Sequence, residues 1–306
     1  MLSIRKLIRN TTYRLKNFIR PLQAQEFNTA QIESFRRDVN THFLSGHYSE
    51  TWTLFAKQMK ESFLNQNPSD FLQWELIKYT ITSFNSTMVD REYNAIKRET
   101  LFYSRWKFLL LENGFGNPDR FWRNRLLGTN KIHQTYHLLQ LTKQFAVDLK
   151  NIEYVLEFGG GYGNMCSLFS KINTNIKYTI FDLPELLCLQ KFYLNALHLP
   201  CELETEGPIT LTKNIEMVAA ENKNYAKNKL FIATWSLSES PFELRDHFIS
   251  ILDTFEYILI AYQKDFDKMG NRKYFSGFQR KLGSFNWSEY PILTMNGSYY
   301  LLGKRN

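Results

Sequence analysis

Val155 to Phe169 reads VLEFGGGYGNMCSLF: a short apolar run carrying the acid Glu157 and ending at Phe158, four glycines within positions 159 to 163, and then helix-compatible sequence. A strand that must turn sharply into a helix while a ligand approaches its backbone has no room for Cβ atoms, and Gly159, Gly161 and Gly163 stand where that room is needed. The spacing separates two classes of nucleotide. A dinucleotide-binding turn wants its third glycine where this chain has Asn164. Glu157, two residues before the first glycine, would repel a bound diphosphate but favours a cation.

Downstream of Asn151, short β-type runs alternate with helical stretches. YVLEF (154–158), KYTIF (177–181), CELET (201–205), LFIAT (230–234) and YILIAY (257–262) are the expected strands, with ELLCLQKFYLNALHL (185–199) as one connecting helix. Such alternation implies an α/β fold with a parallel sheet and helices on both faces. The end departs from it: PILTM (291–295), Asn296-Gly297 and SYYLLGKR (298–305) signal an antiparallel hairpin, since Asn-Gly supplies the positive φ angles of a tight turn. Asp182 closes the second run, twenty-three positions after Gly159, where a carboxylate can accept hydrogen bonds from both hydroxyls of a ribose. Taken singly, the glycines make a tight turn and the acid before Leu183 and Pro184 a helix cap. Together, in this order on these elements, they describe a nucleotide site. S-adenosylmethionine (AdoMet), which carries a ribose, an ammonium and a sulfonium, suits it better than a nicotinamide dinucleotide. The expected cofactor contacts are Glu157, Phe158, Gly159, Gly161, Gly163, Asn164, Asp182 and Leu183, joined by Ser236 from the loop after the fourth strand.

Upstream, from about Gln31 to Lys150, apolar residues recur three and four apart, as in FLQWELIKYTITSF (71–84) and IHQTYHLLQLTKQF (132–145), and only four glycines occur. ENGFGNPDRFW (112–122) interrupts the pattern as a loop. The organisation expected is therefore a basic segment over residues 1–20, a helical lid or substrate domain over 21–150, and an AdoMet-binding domain over 151–306. Residues 1–20 hold six cations and no acid, out of a net charge of +8, with apolar residues along one side of a helix. That segment either docks its apolar side on the protein or lies on an anionic membrane surface. Nucleic acid is not an expected partner, because no basic stripe interleaved with aromatics continues beyond Pro21. No run of 18 or more apolar residues and no secretory signal pattern is present. Cys166, Cys188 and Cys201 form no even framework and no Cys-x-x-Cys pair, which fits the cytoplasm.

VLEFGGGYGNM followed by YTIFDLPELLCLQKFYL, then FIATWSLSESP, then YYLLGK near the end, resembles the sugar O-methyltransferases of bacterial surface-polysaccharide clusters. The glycine run and Phe-Asp-Leu-Pro are also similar to small-molecule O-methyltransferases of plants. The resemblance spans roughly residues 110 to 306 and implies a class I methyltransferase fold, a mostly parallel sheet closed by an antiparallel hairpin, preceded by an α-helical region. It also implies Glu157, Gly159, Gly161 and Asp182 at the cofactor and a sugar or glycan-precursor hydroxyl as acceptor. If the acceptor is lipid-borne, residues 1–20 gain a purpose at the inner membrane face.

Methyl transfer to a hydroxyl needs a base to remove the proton. The plant enzymes bear a histidine before an Asp-Trp pair; aligning their tryptophan with Trp235 puts Ala233 and Thr234 in those places, so the usual base is missing. Glu239, in the loop after the fourth strand, is the first substitute, although it is equally suited to capping the next helix. His133 and His137, four apart on one helix face, are the others, each also compatible with an ordinary core histidine. His247 ranks last. No spaced cluster of acids and histidines marks a metal site, so metal independence is expected. The helices near Thr129, Asn130 and His133 either roof the crevice, with Tyr136 stacking on a sugar, or serve packing and a dimer interface. Two rival readings remain: a nicotinamide-dependent oxidoreductase, and a methyltransferase-fold binding protein without activity.

Overall fold

Strands Tyr154–Phe158 (β1), Lys177–Phe181 (β2), Ile209–Thr212 (β3), Lys229–Thr234 (β4) and Tyr257–Gln263 (β5) run parallel, as their buried, β-branched and aromatic runs require of strands covered on both faces. The computed structural model describes residues 25–42, 49–82 and 86–306; the basic segment 1–20, and the docking or membrane contact expected of it, lies outside the described residues. Asp265–Phe266 (β6) and Met269–Gly270 (β7) form a separate small ribbon. Phe285–Pro291 (β8) and Ser298–Arg305 (β9) complete the main sheet, in the order β3-β2-β1-β4-β5-β9-β8. β9 pairs antiparallel to both β5 and β8, with Ala261 opposite Tyr300. Five parallel strands closed by an antiparallel hairpin constitute the class I methyltransferase fold expected above. The order reverses between β1 and β4, the strands that flank the switch point, and the carboxyl ends of strands at such a point are where open α/β sheets take their ligands.

Two strand expectations need correction. CELET is a loop: Glu204 has φ +52°, and its carboxylate bonds the Thr212 hydroxyl and the Lys213 N–H, while Leu203 makes only an isolated bridge to Leu211 of the true third strand. PILTM is not the hairpin's first arm either. That arm is FNWSEYP, and a six-residue connection from Ile292 to Gly297 replaces the two-residue turn. Gly297 alone takes a positive φ, +77°, so Asn-Gly ends a wider loop in which Ile292 N–H donates to Ser298 O.

The described residues divide into two compact units, and the boundary differs from the one drawn near residue 150: Asn28–Gln66 and His137–Asn306 form one, Asn67–Tyr136 with Gln25–Phe27 the other. The reason is aromatic packing. Helix Thr29–His42 lies on helix Pro184–Ala196, Phe35 stacking on Phe192 at 4.6 Å and tilting against Phe63 of helix Glu50–Asn65 at 5.2 Å, with an Asp38–Lys191 ion pair alongside. The other unit holds helices Glu75–Ile81 and Ser86–Lys97 and the first turns of Thr129–Phe145, but residues 98–128 are mostly irregular rather than helical. There Gly116, at φ +76°, presses its backbone against the Phe71 ring.

Candidate active site

The glycine turn follows β1 as expected, and its conformation explains its composition. Gly159, Gly161 and Gly163 have φ of +77°, +58° and +90°. A Cβ on Gly159 would also lie 2.1 Å from the Ser236 Cβ, and one on Gly163 3.2 Å from Leu194. Gly159→Ala is therefore expected to destabilise the fold by about 1–3 kcal/mol, measured by urea unfolding; unchanged stability would mean that the turn can take another path. Helix Asn164–Ile172 starts directly after the turn.

Glu157 is 1% exposed and lies under this turn rather than at an open mouth. Its Oε2 accepts from the Tyr178 hydroxyl at 2.8 Å and sits 3.3 Å from where a Cβ on Gly160 would be. Asp182, at the tip of β2, accepts from Leu183 N–H at 2.8 Å and from Gln190 Nε2 at 2.6 Å, and the same Gln190 amide reaches the Gly161 carbonyl at 3.1 Å. Burial pushes Glu157 up to about 8 and Asp182 up to about 7; a hydrogen bond from Tyr178 and bonds from Leu183, Gln190 and Gly160 pull the other way. The charged groups that act on the two carboxyls are further acids: Asp182 on Glu157, and Glu185 on Asp182. Two buried acids with no offsetting cation among the described residues suit a positively charged ligand.

Other residues of the turn divide by role. Phe158 packs its ring against Phe181 and Phe248 at 5.3 and 4.9 Å, so only its backbone faces the turn. Its carbonyl accepts the Ser236 hydroxyl, which ties the loop after β4 to the end of β1. The amide oxygen and nitrogen of Asn164, fully buried, and Oε1 of Gln190 have no hydrogen-bond partner among the described residues. Buried amides left in that state beside a glycine turn fit a polar ligand that completes them. The residues present therefore fit a ribose-bearing cation: acceptors at Asp182, an unanswered amide at Asn164 and amide oxygen at Gln190, and at Glu157 a buried carboxyl whose ionised form a cation would stabilise.

The loop after β4 is rigidly built. Trp235 takes φ +66°, unusual for a bulky residue, and its N–H donates to Ala261 O at 2.6 Å. Arg245, wholly buried, donates to the Ser238 and Ser240 carbonyls and to Asn271 Oδ1, with its guanidinium 4.8 Å over the Phe242 ring; burial lowers its pKa to about 10. Glu239 is held in turn by Trp52 Nε1 at 2.8 Å and Gln263 Nε2 at 3.0 Å, and burial raises its pKa. His137 lies buried in the same unit, its Nδ1 2.6 Å from the Tyr300 hydroxyl and its ring edge-on to Trp235 at 5.4 Å. His133, in the other unit, has Nδ1 3.0 Å from both oxygens of Glu92. The two histidines thus share a helix but not a neighbourhood. His247 is exposed. Among the described residues no group of three or more His, Cys, Asp or Glu could hold a metal ion, and no helix is long and apolar enough to cross a membrane.

Sequence reasoning missed Gln190, Tyr178, Trp52, Tyr300 and Arg245. A glutamine inside the apolar helical run LLCLQKFYL was a visible signal for the first; the others depend on which elements meet in space.

No family model and no curated protein matches the chain. Solved structures similar to it include an rRNA methylase from Streptococcus thermophilus, 17% identical over 52% of this chain and 89% of that one, TM-score 0.38. The mitomycin 7-O-methyltransferase MmcR is 10% identical over the whole of both chains, TM-score 0.37. A SAM-dependent methyltransferase from Aquifex aeolicus is 16% identical over 55% and 89%, TM-score 0.37. At such scores the assignment of the fold rests on the strand order itself.

Proposed function

We propose that this protein is an AdoMet-dependent methyltransferase that methylates a hydroxyl of a sugar in a surface-polysaccharide precursor. One observation carries the cofactor: the buried carboxyls of Glu157 and Asp182 lie at the glycine turn with the buried, unpartnered Asn164 amide, and among the described residues the charges that act on them are those of other acids, an environment that a cation relieves and a diphosphate aggravates. The likeness of the four sequence motifs to sugar O-methyltransferases supports the acceptor class.

Asp182 accepts the ribose hydroxyls, Gln190 and Asn164 supply the amides beside the turn, and Glu157 sets the negative potential beneath it. The cofactor supplies an electrophilic methyl group. The protein holds the acceptor oxygen in line and takes its proton, which requires a carboxylate or imidazole in reach. Glu239 on the rigid loop after β4 is the proposed acceptor of that proton. Residues 1–20 are proposed to touch the anionic face of the inner membrane from the cytoplasm; deleting them should lower vesicle binding and leave turnover of a soluble acceptor intact.

Parallel calorimetric titrations with AdoMet and NAD test the cofactor. AdoMet binding with no NAD binding is expected, and the reverse overturns the reading. Incubation with AdoMet and glycan precursors, followed by mass spectrometry, should then reveal a product heavier by one methyl group. Binding without any methylated product would leave a binding protein on a methyltransferase fold.

A further inference from the structure

Lys97 to Gly128 carries seven cations against three acids, and residues 1–20 carry six cations and none, so the rest of the chain holds 25 cations against 27 acids. The positive excess therefore sits in two stretches, of which the second is described. Within it Leu101 is 51% exposed, Tyr103 76%, Phe108 36% and Leu126 52%. The first three lie on or beside two consecutive turns, and the fourth is tied by the backbone to the end of the second turn. The π-helical turn Phe102–Trp106 runs into the turn Lys107–Leu110, Gly128 N–H then donates to Leu110 O and Glu112 N–H to Leu126 O, so the two limbs lie side by side. Cations are interspersed: Arg98 and Lys107 are exposed, and the Lys107 ammonium lies 5.3 Å over the exposed Tyr103 ring.

Exposed aliphatic tips, a tyrosine and flexible cations in one place have a common solvent. Leucine and phenylalanine gain by entering the acyl boundary of a bilayer, tyrosine by lying at the headgroup level, and lysine and arginine by meeting anionic headgroups. A second copy of the chain would set like charges against each other. A nucleic acid would use the cations and the ring but leave the leucines against phosphate. We propose that the surface formed by Leu101, Tyr103, Lys107, Phe108 and Leu126, with Arg98, docks on an anionic phospholipid surface. This inference is independent of the cofactor reading.

Co-sedimentation of the full chain with vesicles of phosphatidylcholine alone, or mixed with phosphatidylglycerol, tests it. Binding is expected to the mixed vesicles only and to weaken with salt. Arg98→Gln with Lys107→Gln should weaken it about thirtyfold, and Leu101→Ser with Phe108→Ser about tenfold or more, with thermal midpoints unchanged. Deletion of residues 1–20 should leave part of the binding. The proposal is overturned if both double variants bind like wild type, if the deletion alone abolishes binding, or if a single-stranded RNA oligonucleotide is bound in place of the vesicles. AdoMet titration is a separate measurement, so either reading can fall without the other.

Discussion

Replacing Asp182 by alanine is expected to weaken AdoMet binding by about 1–3 kcal/mol, Glu157→Gln to do the same, and the double variant to bind too weakly for calorimetry. Asp182 would lose hydrogen bonds to charged oxygen, and Glu157 its electrostatic attraction. Gln190 adds a control. Because it orients Asp182 from 2.6 Å, Gln190→Ala should weaken binding less than Asp182→Ala, and in the same direction. Wild-type affinity in both acid variants would be incompatible with the placement of the cofactor.

The two acids also fix how the site responds to pH. Their folded-state values, about 8 and about 7, stand above the ordinary 4.5 and 3.8, so between those limits the folded protein holds more protons than the unfolded one. The ligand-free protein should therefore be most stable at acid pH and lose that part of its stability as pH rises through 7 and 8. AdoMet should act in the opposite sense, since a cation favours the ionised acids. Its stabilising shift in melting temperature grows with pH, and binding near pH 7 releases protons, detectable as a dependence of the calorimetric heat on buffer. In Glu157→Gln the ligand-free pH slope should flatten. A wild-type melting curve that rises with pH across this window would contradict the burial of both acids.

These acids show why part of the site was legible. Strands β1, β2, β4 and β5 and the turn at Gly159 are written locally, as apolar runs and as backbone that only glycine tolerates, so the sequence names them almost to the residue. The third strand was harder. ITLT is four residues long, and CELET offered a better pattern until Glu204 turned its backbone left-handed and used its carboxylate to cap Thr212 and Lys213. Long-range partners leave no local mark. Nothing within residues 28–66 says that Phe35 stacks on Phe192, or that Trp52 holds an acid 187 positions away. The burial of Glu157 under its own turn is a further consequence of the fold: Tyr178 on the neighbouring strand closes the space that the linear pattern left open.

Glu239→Gln is expected to lower the rate of methyl transfer by about 10²–10⁴, the range for removal of a general base, with AdoMet affinity unchanged. Geometry favours the choice. The loop that carries Glu239 leaves the carboxyl end of β4, is fixed to β1 through Ser236 and Phe158, and is pinned by the buried Arg245, so the carboxylate occupies a defined position. Trp52 and Gln263 each give one hydrogen bond to a different oxygen, which leaves lone pairs on a carboxylate able to accept about four. Burial raises its pKa above the ordinary carboxylate value, toward that of a more effective base. In a pH–rate profile the wild-type rate should fall on the acid side as Glu239 takes its proton, at a pH above that of an ordinary carboxylate, and Glu239→Gln should lack this limb. His137 and His133 provide the contrast. Removing the imidazole of His137, bonded to Tyr300, or of His133, held by Glu92, should disturb stability before rate, because each ring is buried against a named partner. An acid limb that persists in Glu239→Gln but vanishes in His137→Gln or His133→Gln would move the base to that histidine, and for His133 the Glu92 carboxylate at 3.0 Å from Nδ1 would then become the orienting contact.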